Sequence, residues 1–167
     1  MLRDRNLITL SHQHQHALAL CVRLERALQT GSVDVPAWQQ EIEQHFTQEI
    51  QFHFAAEESW LFPAARGFPE LAGLVDELLA EHQQLRGYFA RAGARKMNPS
   101  ELAEFAKLLS GHIRKEERQL FEALQKLLPA EDMKTLGEQL KQSLESATQG
   151  CILPPRGTAR TAPKTGR

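Results

Sequence analysis

Apolar residues recur along the chain at intervals of three and four, the period of a helix that buries one stripe. The first run is Leu7, Leu10, Ala17, Leu18, Cys21, Leu24 and Leu28. The second is Phe46, Ile50, Trp60 and Leu61, and the third is Leu71, Val75, Leu78, Leu85 and Phe89. The fourth is Leu102, Phe105, Leu109, Ile113, Leu120 and Leu124. Cap and turn residues divide these runs. The first helix is predicted to open at an N-cap, Ser11, and to end near Gln29, ahead of Gly31. The second follows Pro36 and stops near Trp60, before Pro63; the third begins near Pro69 and ends near Gly93. The fourth follows Asn98-Pro99-Ser100 and stops before Pro129. A shorter fifth, between about Glu131 and Ser146, carries Met133, Leu136, Leu140 and Leu144 and is expected to pack across the others. Strand formers are sparse. The expected fold is all-α: an antiparallel up-down four-helix bundle with a short fifth helix, occupying 1–148. Residues 149–167, which include PPRGTARTAPKTGR, are expected to be a disordered basic tail.

Each stripe is broken by polar residues at a matching place. In the second helix the series 46, 50, 53, 57 puts His53 and Glu57 on the buried face. In the third, 71, 75, 78, 82, 85 puts His82 there, and in the fourth, 105, 109, 112, 116, 120 buries His112 and Glu116. In the first helix the series 7, 10, 14, 17 turns His14 inward and leaves His12 and His16 on the outer side with Arg23 and Arg26. A lone histidine on an apolar face is usually a core residue with one hydrogen bond. A buried carboxylate without a partner is costly. Four imidazoles and two carboxylates, with no Lys or Arg on the same stripes, call for a positive charge from elsewhere. A metal supplies it, and this donor set suits iron, zinc or manganese.

Two stretches repeat one pattern: HFAAEESWLF from His53 and HIRKEERQLF from His112. His and Glu four apart lie on one helix face, and a carboxylate has an oxygen for each of two ions. Each copy therefore reads as half of a two-metal cage. The Glu-x-x-His pattern of ferritin-like di-iron bundles is absent, because no histidine has Glu three residues before it. His45 and Glu49 form another His-x-x-x-Glu one turn earlier, where helical drift carries His45 to the edge of the stripe, at the surface or just outside the metal ligands. The His12/His16 pair has chelating spacing, but solvation is its simpler fate.

Charge narrows the partners. The formal net charge is -1; the four basic residues after 150, with no acid among them, contribute +4 and leave -5 for 1–150. No overall basic field recruits nucleic acid or membrane. No run approaches a membrane span, and the N-terminal residues hold no signal-peptide core. Cys21 and Cys151 make no disulfide framework, so the cytoplasm is the expected setting.

As a set, SHQHQHALAL, HFAAEESWLFP, EHQQLRGYF and HIRKEERQLF resemble the hemerythrin-like, HHE cation-binding domain proteins over about residues 7–128. The resemblance implies a non-haem di-iron centre with carboxylate bridges and a bridging oxo or hydroxo group. It matches His14, His53, Glu57, His82, His112 and Glu116 to the family's metal ligands, with Glu57 and Glu116 as bridges. Glu58 and Glu117 follow the bridges as outer groups, although a one-residue shift would exchange either pair. Oxygen carriers of the family place two histidines four apart on the third helix; here Leu78 stands four before His82. Water, or Glu49, is the expected substitute. The implied function is binding, sensing or reaction with oxygen, peroxide or nitric oxide, or the handling of iron. Any signalling output would pass through a protein partner. Two alternatives stand beside it. One is a two-metal or zinc hydrolase, against which the sequence shows no acid–base pair, nucleophile constellation or phosphate-cradling loop. The other is an interaction module with a structural metal, docking through the fifth helix or the tail.

Overall fold

The computed structural model describes residues 2–150, with side chains to residue 146. The described residues form five helices and no strand: α1 (Ile8–Gln29), α2 (35–66), α3 (Pro69–Gly93), α4 (99–127) and α5 (Ala130–Gly150). The all-α expectation holds. The tail beyond 150 lies outside the described residues.

The helix ends follow local chemistry. Asp34 caps α2, its carboxylate accepting the Ala37 N–H at 3.1 Å, with Pro36 in the first turn. Asn98 and Glu101 form a capping box at α4: the Glu101 N–H reaches Asn98 Oδ1 at 3.0 Å and the Asn98 N–H reaches Glu101 Oε2 at 2.9 Å. Gly31, just past α1, takes the left-handed φ of 68° that favours glycine.

Two ends differ from expectation. α1 begins at Ile8, with Leu7 as its N-cap, and Ser11 already lies within the helix, its N–H bonded to the Leu7 carbonyl at 3.1 Å. A turn closed by Asp4, whose carboxylate accepts the Asn6 N–H at 2.8 Å, starts the helix early. α2 does not stop near Trp60 but runs through Pro63 to Arg66. The reason is a π-helical turn at Glu57–Leu61, in which the Phe62 N–H bonds back five residues to the Glu57 carbonyl. The wider turn loosens the bonding ladder that an interior proline would otherwise break. It also inserts extra phase, so Leu61 faces the core while Trp60, expected on the stripe, is 39% exposed. Further π turns lie at Phe46–Ile50 and, in α4, at Glu116–Leu120. The fifth helix is longer than expected and continues past 148 to Gly150.

α1 packs on α4, α2 on α3, α3 on α4, and α5 on the middle of α2. The apolar core falls into two halves. One joins Leu10, Leu61, Phe62, Val75, Leu78, Leu120 and Leu124 to Met133, Leu136, Leu140 and Leu144 of α5. The other gathers Ala17, Leu24, Ile50, Phe54, Leu85, Phe89, Phe105 and Leu109. Each fully buried large side chain contributes about 1.5–3 kcal/mol. Along every one of the first four helices, the polar interruption separates the two halves.

Candidate metal centre

His14, His53, Glu57, His82, His112 and Glu116 are all buried, and the structure brings them together. The four imidazoles point Nε2 inward in two pairs. His14 and His53 approach to 3.0 Å, and His82 and His112 to 3.2 Å. The carboxylates lie between the pairs. Glu57 Oε1 is 3.0 Å from His53 Nε2 and 3.8 Å from His14 Nε2, while its Oε2 is 3.4 Å from His82 Nε2. Glu116 mirrors it, with Oε2 3.1 Å from His14 Nε2 and Oε1 3.3 Å from His112 Nε2. Two groups of donor atoms result: His14, His53, Glu57, Glu116 and Glu57, His82, His112, Glu116. Each carboxylate serves both.

None of the four carboxylate oxygens has a hydrogen-bond partner, and neither glutamate side chain is exposed to solvent. Buried acceptors without a partner, facing imidazole nitrogens, call for positive charge between them. The donor set of nitrogen and carboxylate oxygen fits a metal ion at each group. Protons stand in for that charge when metal is absent. Burial opposes charge on His112, yet Glu116, Glu81 and Glu57 raise it to about 9. His14 is raised well above its ordinary value against the same opposition, by Glu116, Glu117 and Glu57. Burial and the neighbouring Glu57 push Glu116 upward, but His112 and His14 hold it down at about 2.

An outer ring fixes the imidazoles. His14 Nδ1 meets Glu117 Oε1 at 2.7 Å, His82 Nδ1 meets Glu58 Oε1 at 2.7 Å, and His112 Nδ1 meets Glu81 Oε2 at 2.9 Å. His53 Nδ1 meets Gln13 Oε1 at 2.8 Å. With Nδ1–H donating outward, each Nε2 keeps its lone pair for the centre. Each of the first four helices holds a neighbour's histidine: α1 holds that of α2, α2 that of α3, α3 that of α4, and α4 that of α1. Cations anchor three of the holders. Arg3 Nη2 is 2.5 Å from Glu117, Arg86 Nη1 is 2.8 Å from Glu58, and Lys115 Nζ is 2.5 Å from Glu81.

The repeated Leu-Phe pair now has a reason. Leu61 and Leu120 close the apolar half beside the centre. Phe62 lies against His82 at 5.3 Å and Phe121 stacks on His14 at 5.5 Å. Each motif copy thus holds the next helix's imidazole twice, by its second glutamate and by its phenylalanine.

The profile of the Hemerythrin HHE cation binding domain family matches residues 7–124. The chain belongs to that family. Comparison with curated proteins and with solved structures gave no match.

Other expected residues of this HHE domain lie elsewhere. Glu49 does not join the centre; it faces outward, 3.0 Å from His16 Nδ1 and 3.9 Å from His45 Nε2. The α2 backbone turns it toward α1, away from Leu78, which is fully buried in the apolar half. His12 is exposed and His16 is 65% exposed. Glu58 and Glu117 touch His82 and His14, outside the two donor groups. Sequence reading missed Gln13, Glu81, Arg3, Arg86 and Lys115. A signal existed: Gln13 and Glu81 each directly precede a buried histidine, as Glu58 and Glu117 each directly follow a buried glutamate.

Proposed function

We propose that α1 to α4 form an antiparallel up-down four-helix bundle, with α5 packed against it, that carries two iron ions and either serves oxygen, peroxide or nitric oxide or handles iron. Contact pairs support the topology. Between α1 and α2 they run Arg23–Glu41, His16–Glu49, Gln13–His53, one number falling as the other rises. Between α3 and α4 they run Arg91–Glu101, Tyr88–Glu104, Glu81–His112, Glu77–Lys115 in the same manner. One observation carries the metal reading: Glu57 and Glu116 each offer one unpartnered oxygen to each histidine pair. His14 and His53 would hold one ion, His82 and His112 the other, and the two glutamates both.

Two iron ions with an oxo or hydroxo bridge would supply reversible electron exchange and open positions for a small molecule. The protein's part is to orient and to exclude. The Nδ1 contacts fix the ring planes, and the two apolar halves keep bulk water from the centre. Two histidines in each group, with Leu78 apolar, leave fewer nitrogen donors than an oxygen carrier of the family holds, so sensing or reaction is favoured over reversible carriage. No helix among the described residues is long and apolar enough to cross a membrane, and Cys21 is buried and free, which suits a cytoplasmic setting.

Elemental analysis of protein purified without added metal, with spectra before and after anaerobic reduction, tests the reading. About two irons per chain, with a ferric absorption that bleaches on reduction and returns in air, is the expected result. Zinc alone, with no such spectrum after iron reconstitution, would instead support hydrolysis or a structural metal.

A further inference from the structure

The two halves of the centre repeat each other, with one chemical exception. The pairing of α1 with α2 corresponds to that of α3 with α4. His14 corresponds to His82, His53 to His112, Glu57 to Glu116, Glu58 to Glu117, and Phe62 to Phe121. In the outer ring, Gln13 corresponds to Glu81. Three imidazoles therefore donate Nδ1–H to a carboxylate and one, His53, donates to a neutral amide.

We infer that Gln13 makes the two metal positions unequal, so that the His82–His112 position takes the first divalent cation and the His14–His53 position the second. A carboxylate behind an imidazole withdraws its Nδ1 proton partway and makes Nε2 a stronger donor. Both nitrogens of the His82–His112 group have this support, from Glu58 and Glu81. In the other group only His14 has it, from Glu117. The bridging glutamates contribute one oxygen to each position, so they do not create the difference. Nor do the anchoring cations, because each backing carboxylate has one of its own: Arg86, Lys115 and Arg3. Gln13 is thus a positioning residue that acts through His53, and it grades affinity within an otherwise symmetric cage.

This inference rests on the two-metal reading but not on iron. The test is titration of metal-free protein with cobalt(II), followed by its visible absorption. Wild type is expected to fill in two steps. Two variants should narrow the gap by opposite moves, each by about 10–100-fold, the usual weight of one outer partner. Gln13→Glu should tighten the second step and leave the first unchanged. Glu81→Gln should loosen the first and leave the second unchanged. Repulsion between the two cations also separates the steps, but it is common to all three proteins, so the change between them isolates the outer ring. Equal steps in wild type, or a gap that neither variant alters, would overturn the inference while leaving two bound cations in place. Saturation at one cobalt would overturn the two-metal reading itself and the inference with it.

Discussion

Glu57 and Glu116 are single residues with two obligations each, and their loss should be felt at both metal positions. Changing either to alanine is expected to lower bound metal from about two to below about one per chain, while His16→Ala keeps the full content. Elemental analysis, with circular dichroism to verify helicity, reads this directly. Retention of metal in both glutamate variants would mean that other residues hold it. The histidines add a pH dependence. In metal-free protein His112 is protonated up to about pH 9, because Glu116, Glu81 and Glu57 outweigh its burial. A folded value raised above the ordinary 6.5 stabilises the fold fully below pH 6.5, and that stability is lost as pH rises through 9. Metal-free protein should therefore lose thermal stability between these limits. Metal must displace the same proton, so loading near neutrality should release acid into a weakly buffered solution, and affinity should fall as pH falls. Loading without proton release would show that the imidazoles are neutral beforehand.

Glycines separate two kinds of helix position at the scale of the element. A Cβ at Gly111 in α4 would meet nothing within 4 Å, and Gly111→Ala should stabilise by about 0.5–1 kcal/mol, the ordinary helix gain. A Cβ at Gly137 in α5 would come within 2.5 Å of Asn6 Cβ. There the same substitution should lower the melting temperature, at a cost of about 1–3 kcal/mol. That close approach seats α5 over the segment from which Arg3 reaches Glu117. Equal gains at both glycines would show that the segment yields freely. The π turns explain how far these elements could be read from sequence. From Ile50 to Glu57, and along α4 up to Glu116, the inward positions obey plain helical periodicity, and His14, His53, His82 and His112 are where it puts them. Beyond Glu57 the wider turn changes the phase, which sends Trp60 outward and carries α2 through Pro63. Gln13 and Glu81 escaped because they flank the stripe, where polar residues are ordinary. Only the packing of neighbouring helices gives them a partner.

For the whole molecule, the ring of held histidines ties the first helix to the last of the four through His14 and Glu117, 103 positions apart in the chain. Contacts this distant are slow to form because a long loop must close first. The same closure governs departure. The six side chains at the centre are at most 3% exposed, and apolar layers lie on both sides. With the donor atoms buried, a chelator is expected to reach an ion held there only once the helices part. The release rate should therefore level off as chelator concentration increases and reach the same plateau for strong and weak chelators. A rate that stayed proportional to concentration would mean direct attack at an open site. Tight retention in this protein then has two sources, and only one is equilibrium affinity. The other is a lifetime set by how often the helices separate, so a change that leaves every donor atom untouched but loosens the packing would shorten it.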